Sequence, residues 1–343
     1  MVSEKEFIKC ITFREVINKM CTAITFATKD HYFGRNLDLD FSYNETVTIT
    51  PRNFKFPMRK VDDLSSHYAM IGMATVVEDY PLYYDAINEA GLGMAGLNFP
   101  DNAHYFADID GKNNIASFEM IPYILGQAKT VDDAKKLLEN VSVSAEVFSA
   151  DFPTATLHWI IADKEKSIVV ESTKEGLNVY DNPVGVMTNN PPFPIQMYDL
   201  NDYYAISAHP LEHKFGNGVS LHEYSRGMAG LGLPGDLSSK SRFVRAVFTK
   251  YNSMCDDDEL SSINQFFKIL GSVEQVKGLC EVTPGKYEYT IYSSCMNQDK
   301  GIFYYTTYGN SDIHAIDMHK VDLDGDKLSI YKLNKKLSVS YDN

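Results

Sequence analysis

At 343 residues, with 44% hydrophobic and 23% charged side chains, the chain has an ordinary globular composition and the length for one large domain. A formal net charge of −14 argues against nucleic acid and against stable association with anionic membranes. No apolar run reaches the roughly 18 residues that span a bilayer. Residues 1–19 place Phe7, Ile8, Ile11, Val16, Ile17 and Met20 in a loose helical stripe, which predicts a short amphipathic helix. Segments rich in Ile, Val, Tyr, Thr and Met, separated by Gly, Pro, Asp or Asn, predict strands at 21–27, 31–37, 46–50, 67–77, 82–88 and 91–97. Helices are predicted at 117–127 and 131–140, the second opening on a capping-box variant, Thr130-Val131-Asp132-Asp133. Strands follow at 155–162 and 167–172, turning at 163–166, then at 177–180 and 184–188. Helices return at 195–205, 239–251 and 259–270, and strands at 287–295, 302–308, 313–319 and 327–331. Blocks of strands alternating with blocks of helices do not form a regular βαβ pattern. They fit an α+β body of two antiparallel sheets packed face to face with helices outside, and no linker divides the chain.

Five cysteines (Cys10, Cys21, Cys255, Cys280 and Cys295) form no CxxC pair, so they are expected to be reduced thiols, and the protein is expected to be cytoplasmic. Glu4, Lys5, Glu6, Lys9, Arg14, Glu15 and Lys19 leave no apolar signal-peptide core. The nine histidines show no metal-binding spacing, and no metal or other cofactor is expected. The segment Asp322-Leu323-Asp324-Gly325-Asp326 lacks the twelfth-position Glu of a calcium loop and is expected to be a hairpin turn.

The pair Met20-Cys21 is the most informative chemical feature. If everything before Cys21 is removed, one residue carries both a thiol and a free α-amine, whose pKa near 8 makes it a usable base. Removal could follow synthesis, or translation could begin at Met20 and methionine clipping alone could expose the cysteine. The other reading is an ordinary N-terminal helix with Cys21 buried as a small hydrophobe. Arg35 and Asp38 lie on the next segment, where the arginine would favour a thiolate and the aspartate would hold the amine.

Cys21 after Met20, Arg35 and Asp38 in FGRNLD, Asn98 in AGLNFP, Asn189 in MTNNPPF and Arg242 in SSKSRFVR are each unremarkable alone. Taken in order, with TPRNF at 50–54, LHWIIAD at 157–163, SIVVE at 167–171 and LPGD at 233–236, they resemble the choloylglycine hydrolase family of bile salt hydrolases and penicillin V acylases. The resemblance runs from Met20 almost to the C-terminus and implies a four-layer αββα N-terminal-nucleophile fold over 21–343, with residues 1–20 a leader or upstream extension. It implies Cys21 as nucleophile and its α-amine as base, with Arg35 beside the sulfur and Asp38 on the amine. Asn98 and Asn189 would be oxyanion donors, and Arg242 would complete the polar site. It also implies conjugated bile salts as substrates and a homotetramer. Asn98 stands where penicillin V acylases tend to carry tyrosine, which favours glycine- or taurine-conjugated bile salts over penicillin V or another N-acyl amide. Leu37, Phe41, Val143 and Phe148, the last two in a loop at 141–152, are candidates for an apolar steroid cleft. Arg226 in Ser225-Arg226-Gly227 is a candidate partner for a taurine sulfonate. If Cys21 is never exposed, the alternative is a non-catalytic binding protein on the same scaffold.

Overall fold

The structure, a computed structural model, describes residues 20–343. The helix expected over 1–19 lies outside the described residues. One antiparallel sheet contains β1 (Cys21–Ala27), β2 (His31–Leu39), β12 (Val186–Met187), β14 (Lys286–Asn297), β15 (Ile302–Thr307) and β16 (Asn310–Asp317), ordered β12-β1-β2-β14-β15-β16, with β13 (Cys280–Thr283) pairing β14 at its side. The other contains β3 (Thr46–Thr50), β4 (Met70–Val77), β5 (Tyr80–Asn88), β6 (Gly93–Asn98), β9 (Leu157–Ala162), β10 (Ser167–Thr173), β11 (Gly176–Asp181) and β17 (Ser329–Lys332), ordered β11-β10-β9-β6-β5-β4-β3-β17. A short parallel pair, β7 (Asn113–Ala116) and β8 (Val141–Ser144), stands apart.

The layers follow from alternation. Along β9 and β10, Ile160 and Val169 enter a core between the sheets, whereas Ile161, Ile168 and Val170 enter a second core on the far face. That second core receives α1 (Met120–Leu125) and α2 (Val131–Leu138), through Ile121, Ile124, Ala134 and Leu138. On the far side of the first sheet, α4 (Ser239–Asn252) and α5 (Glu259–Gly271) bury Phe243, Ala246, Ile263, Phe266 and Ile269. Full burial of such a side chain contributes about 1.5–3 kcal/mol, so the outer helices are held by these stripes. The result is the expected αββα stack, with α3 (Phe193–Asp199) near the end of β12. Thr130 caps α2 as its sequence predicts: its hydroxyl accepts from the Asp133 N–H at 3.1 Å, and Asp133 Oδ2 accepts from the Thr130 N–H at 3.2 Å.

Three departures have local causes. The helix expected at 117–127 begins as a 3-10 turn, Ser117–Glu119, and that expected at 195–205 ends at Asp199 and continues as a 3-10 turn to Tyr203. Strands β7, β8 and β13 were not expected; each has only four residues, too few to show a period. The 322–326 segment is not a hairpin: it carries the chain from β16 in one sheet to β17 in the other and docks on Arg52, whose Nη1 donates to Asp324 Oδ1 at 2.6 Å.

Candidate active site

Residue parity along one hairpin divides the site between two faces. Cys21 pairs with Leu37, Thr22 with Asn36 and Ala23 with Arg35. Cys21, Arg35 and Leu37 therefore face the second sheet, where Arg35 Nη1 donates to the carbonyls of Tyr84 and Gly96 at 3.2 and 2.5 Å. Thr22, Asn36 and Asp38 face the helices, and Asn36 Nδ2 donates to the Leu270 carbonyl of α5 at 3.0 Å. Gly34 precedes the arginine because β14 comes close there: a Cβ would stand 2.0 Å from the Ser294 carbonyl oxygen.

Asp38 consequently has its carboxylate on the helix side of β2. Its carboxylate accepts from Thr290 Oγ1 at 2.6 Å and from Gln275 Nε2 at 3.3 Å, and its backbone N–H donates to the Met20 carbonyl at 3.1 Å. The Cys21 nitrogen, here a peptide amide, donates to Asn189 Oδ1 at 2.8 Å rather than to Asp38. Arg242, at the start of α4, joins the pieces. Its Nη1 donates to the Cys21 carbonyl at 2.5 Å and to Thr22 Oγ1 at 2.6 Å, and its Nη2 donates to Asn189 Oδ1 at 2.8 Å. Asn189 Nδ2 donates to the Asn98 carbonyl at 2.8 Å. Two donors on the oxygen and an acceptor on the nitrogen fix the orientation of this amide. One Asn189 N–H remains, and two buried donors beside the cysteine have no partner among the described residues: Arg35 Nη2 and Asn98 Nδ2. A buried unpaired donor is costly, so both are poised for an acceptor.

Burial pushes the Cys21 thiol up from its usual range; Arg35 opposes this, while Asp38 and Glu288 add to it. Burial raises Asp38 to about 6 against the pull of Arg242, Thr290 and Arg35. Glu288, on β14, accepts a short hydrogen bond from the Met20 N–H, and burial raises it from 4.5 to about 8. Because its folded value is raised, the stability it contributes is fully present below pH 4.5 and is lost as pH rises through 8. In the chain that retains Met20, Glu288→Gln will therefore raise the melting temperature at pH 9 by several degrees and leave it nearly unchanged at pH 4. Equal shifts at the two pH values would rule out a titrating carboxyl there.

Cys21, Arg35 and Asn98 share a cavity of about 200 Å³. Its apolar wall includes Leu37, Leu39, Leu82, Phe118, Phe148 and Trp159. Of the residues expected at a steroid cleft, Leu37 and Phe148 line this cavity. Phe41 does not line the cavity; it is exposed and packs on Tyr43, which does, with ring centroids 4.6 Å apart. Val143 belongs to β8, not to a loop, and is buried in the core under α1 and α2. Arg226 is exposed on the 204–238 segment and does not line the cavity.

Comparison with known proteins bears directly on this arrangement. The family described as linear amide C-N hydrolases, choloylglycine hydrolase family, matches residues 21–331. The chain belongs to the choloylglycine hydrolase family. It is 55% identical over 317 residues to the bile salt hydrolase/transferase of Lactiplantibacillus plantarum, covering 92% of this chain and 98% of the relative. It is 42% identical over 330 residues to the bile salt hydrolase/transferase of Clostridium perfringens, covering 94% and 100%. A solved mutant of the conjugated bile acid hydrolase from Clostridium perfringens superposes with a TM-score of 0.87 at 41% identity, covering 94% and 100%. The penicillin V acylase of Agrobacterium tumefaciens, at 22% identity and a TM-score of 0.68 over 90% of each chain, shares the fold.

In this choloylglycine hydrolase family member, four residues around the cysteine carried no signal that a motif search would find: Thr22, Gln275, Glu288 and Thr290. The pattern of β14 was nevertheless informative. Its sequence KYEYTIYSSCMN places Glu288, Thr290, Ser293 and Ser294 in a strand buried along nearly its whole length. Polar side chains kept in an interior strand indicate partners across the sheet. Among the described residues no His, Cys, Asp and Glu group is placed to hold a metal ion.

Proposed function

We propose that the chain, once it begins at Cys21, is a bile salt hydrolase that cleaves the amide joining a steroid acid to glycine or taurine. The observation that carries this is the placement of two buried donors without partners among the described residues, Arg35 Nη2 and Asn98 Nδ2, with a thiol in a cavity walled by apolar side chains. The freed α-amine accepts the thiol proton, and Sγ bonds to the amide carbonyl carbon. The oxyanion receives the Asn98 Nδ2 donor and the remaining Asn189 N–H, while Arg35 faces the sulfur; losing one such donor typically costs about 10²–10³ in rate. The departing nitrogen takes the proton and leaves as glycine or taurine. Water, deprotonated by the same amine, then hydrolyses the thioester to the free steroid acid.

Several observations support the reading. The relatives are named for bile salts or conjugated bile acids, and the family match begins at residue 21. With Met20 attached, the Cys21 nitrogen is an amide and cannot be a base, so residues 1–20 are a leader or upstream extension. Arg242 donates to the Cys21 carbonyl and Asn189 Oδ1 accepts from the Cys21 nitrogen, so the two would hold the new terminus, with Asp38 balancing the Arg242 charge. The names of the Lactiplantibacillus and Clostridium relatives include transferase, an outcome the same thioester allows when an amine replaces water. The four described cysteines are free, in keeping with the cytoplasm, and no described helix is long and apolar enough to cross a membrane. Tyr204, Phe215, Tyr224 and Leu231 are exposed on the 204–238 segment, which favours burial between copies in a homotetramer.

The test is a substrate profile of protein shown by mass to begin at Cys21. Taurocholate and glycocholate should yield free cholate and the amino acid. Turnover of phenoxymethylpenicillin far above both would reassign the substrate to penicillin V.

A further inference from the structure

A bulge in the second sheet brings a buried carboxylate up behind Arg35. Along β5, Asp85 pairs with Met73 and Tyr83 with Ala74, so Tyr84 is an extra residue in the ladder. Bulges re-aim groups next to functional sites. Here the Tyr84 carbonyl accepts from Arg35 Nη1 at 3.2 Å. The next side chain, Asp85, is fully buried, and its two oxygens accept from Tyr292 Oη at 2.5 Å and Ser294 Oγ at 2.7 Å, both on β14 in the opposite sheet. Ser294 Oγ in turn accepts from the Arg35 backbone N–H at 3.1 Å, so its own proton is directed at Asp85. A carboxyl that receives a hydroxyl donor on each oxygen is set up as the anion.

We propose that Asp85 is a positioning residue for the amide hydrolysis: held by Tyr292 and Ser294 behind Arg35, it sets how much of the guanidinium charge reaches the Cys21 thiol. The proposal rests on Cys21 being the nucleophile. Arg35 interacts electrostatically with Cys21, Tyr292, Asp85 and Asp38, and it also acts on Tyr84, itself near Glu45. The thiol feels the charges of Arg35, Asp38 and Glu288, with Arg242 on the helix side. Burial raises Asp85 above the usual carboxylate range, and Arg35, Tyr292 and Ser294 pull it back toward ionisation. No ion pair within 4 Å joins Arg35 to any carboxylate among the described residues, so Asp85 acts at longer range in a dry interior, where screening is weak.

Asp85→Asn keeps the shape and removes the charge. In protein beginning at Cys21, the rate of Cys21 alkylation by iodoacetamide, followed by peptide mass from pH 5 to 10, should have its midpoint about one pH unit lower than wild type. That is about a tenfold faster reaction below the midpoint, and the acid limb of kcat/KM should move with it. Ser294→Ala removes a donor that holds Asp85 as the anion, so Asp85 takes up a proton more readily; it should shift the midpoint the same way by about threefold in rate, and it decides the matter if Asp85→Asn does not fold. Arg35→Leu should shift the midpoint upward. A lower turnover in Asp85→Asn with an unmoved alkylation midpoint would make Asp85 a pin between sheets and overturn the proposal, leaving the nucleophile in place. Full turnover by protein alkylated at Cys21 would remove the nucleophile and the proposal together.

Discussion

Cys21→Ala will lower the hydrolysis of taurocholate and glycocholate by about 10⁴-fold or more, because nucleophile, base and oxyanion donors act as one unit. The sulfur is buried between Leu37, Arg35 and the second sheet, so its loss leaves a small gap and costs about 1 kcal/mol of stability, leaving a folded protein. Cys21→Ser will also fail, since an alcohol is far less acidic than a thiol and the freed amine is a weak base for it. Release of glycine or taurine, measured with the melting temperature of the same samples, separates lost chemistry from lost folding. Wild-type rates in Cys21→Ala would end the assignment.

A chain that retains residues 1–20 will be at least about 10²-fold slower than one beginning at Cys21, a general base being worth 10²–10⁴. The cause is visible at the junction. The Met20 N–H is held by Glu288 and the Met20 carbonyl by the Asp38 N–H, while the Cys21 nitrogen has no lone pair to offer and the thiol is pushed up by burial. Intact mass and activity on one preparation give the answer, and expression from Met20 should restore turnover. Full activity from protein whose mass includes Met1 would show that the α-amine is not the base.

The resemblance named polar residues, but not how they divide between the two faces of the sheet. Arg35 and Asp38 are three positions apart, an odd separation that puts them on opposite faces of β2. The predicted strand stopped at 37, so that parity was not readable for Asp38, whose carboxylate turns to Thr290 and Gln275 rather than to the Cys21 nitrogen. Asn189 instead meets the Cys21 nitrogen, through a contact spanning 168 positions that no local pattern encodes. The strands between 21 and 98 were legible because their β-branched and aromatic residues are punctuated by turn residues. Val143 was not, because β8 is four residues long and gains its order from β7 alongside it. Glu288 could be flagged only as a polar residue in an apolar strand; its bond to Met20 depends on tertiary packing.

The central position of β14 also fixes when a growing polypeptide can become reactive. This strand lies between β2 and β15 and supplies Glu288, Thr290, Tyr292 and Ser294, yet it leaves the ribosome long after β2. Until about residue 297 has emerged, Asp38 lacks Thr290, Asp85 lacks both its hydroxyl donors, and β2 has an open edge. The first described strand thus waits for β14 before its cysteine meets the charges that tune it, so a polypeptide that stops short of β14 carries an ordinary thiol and no hydrolase.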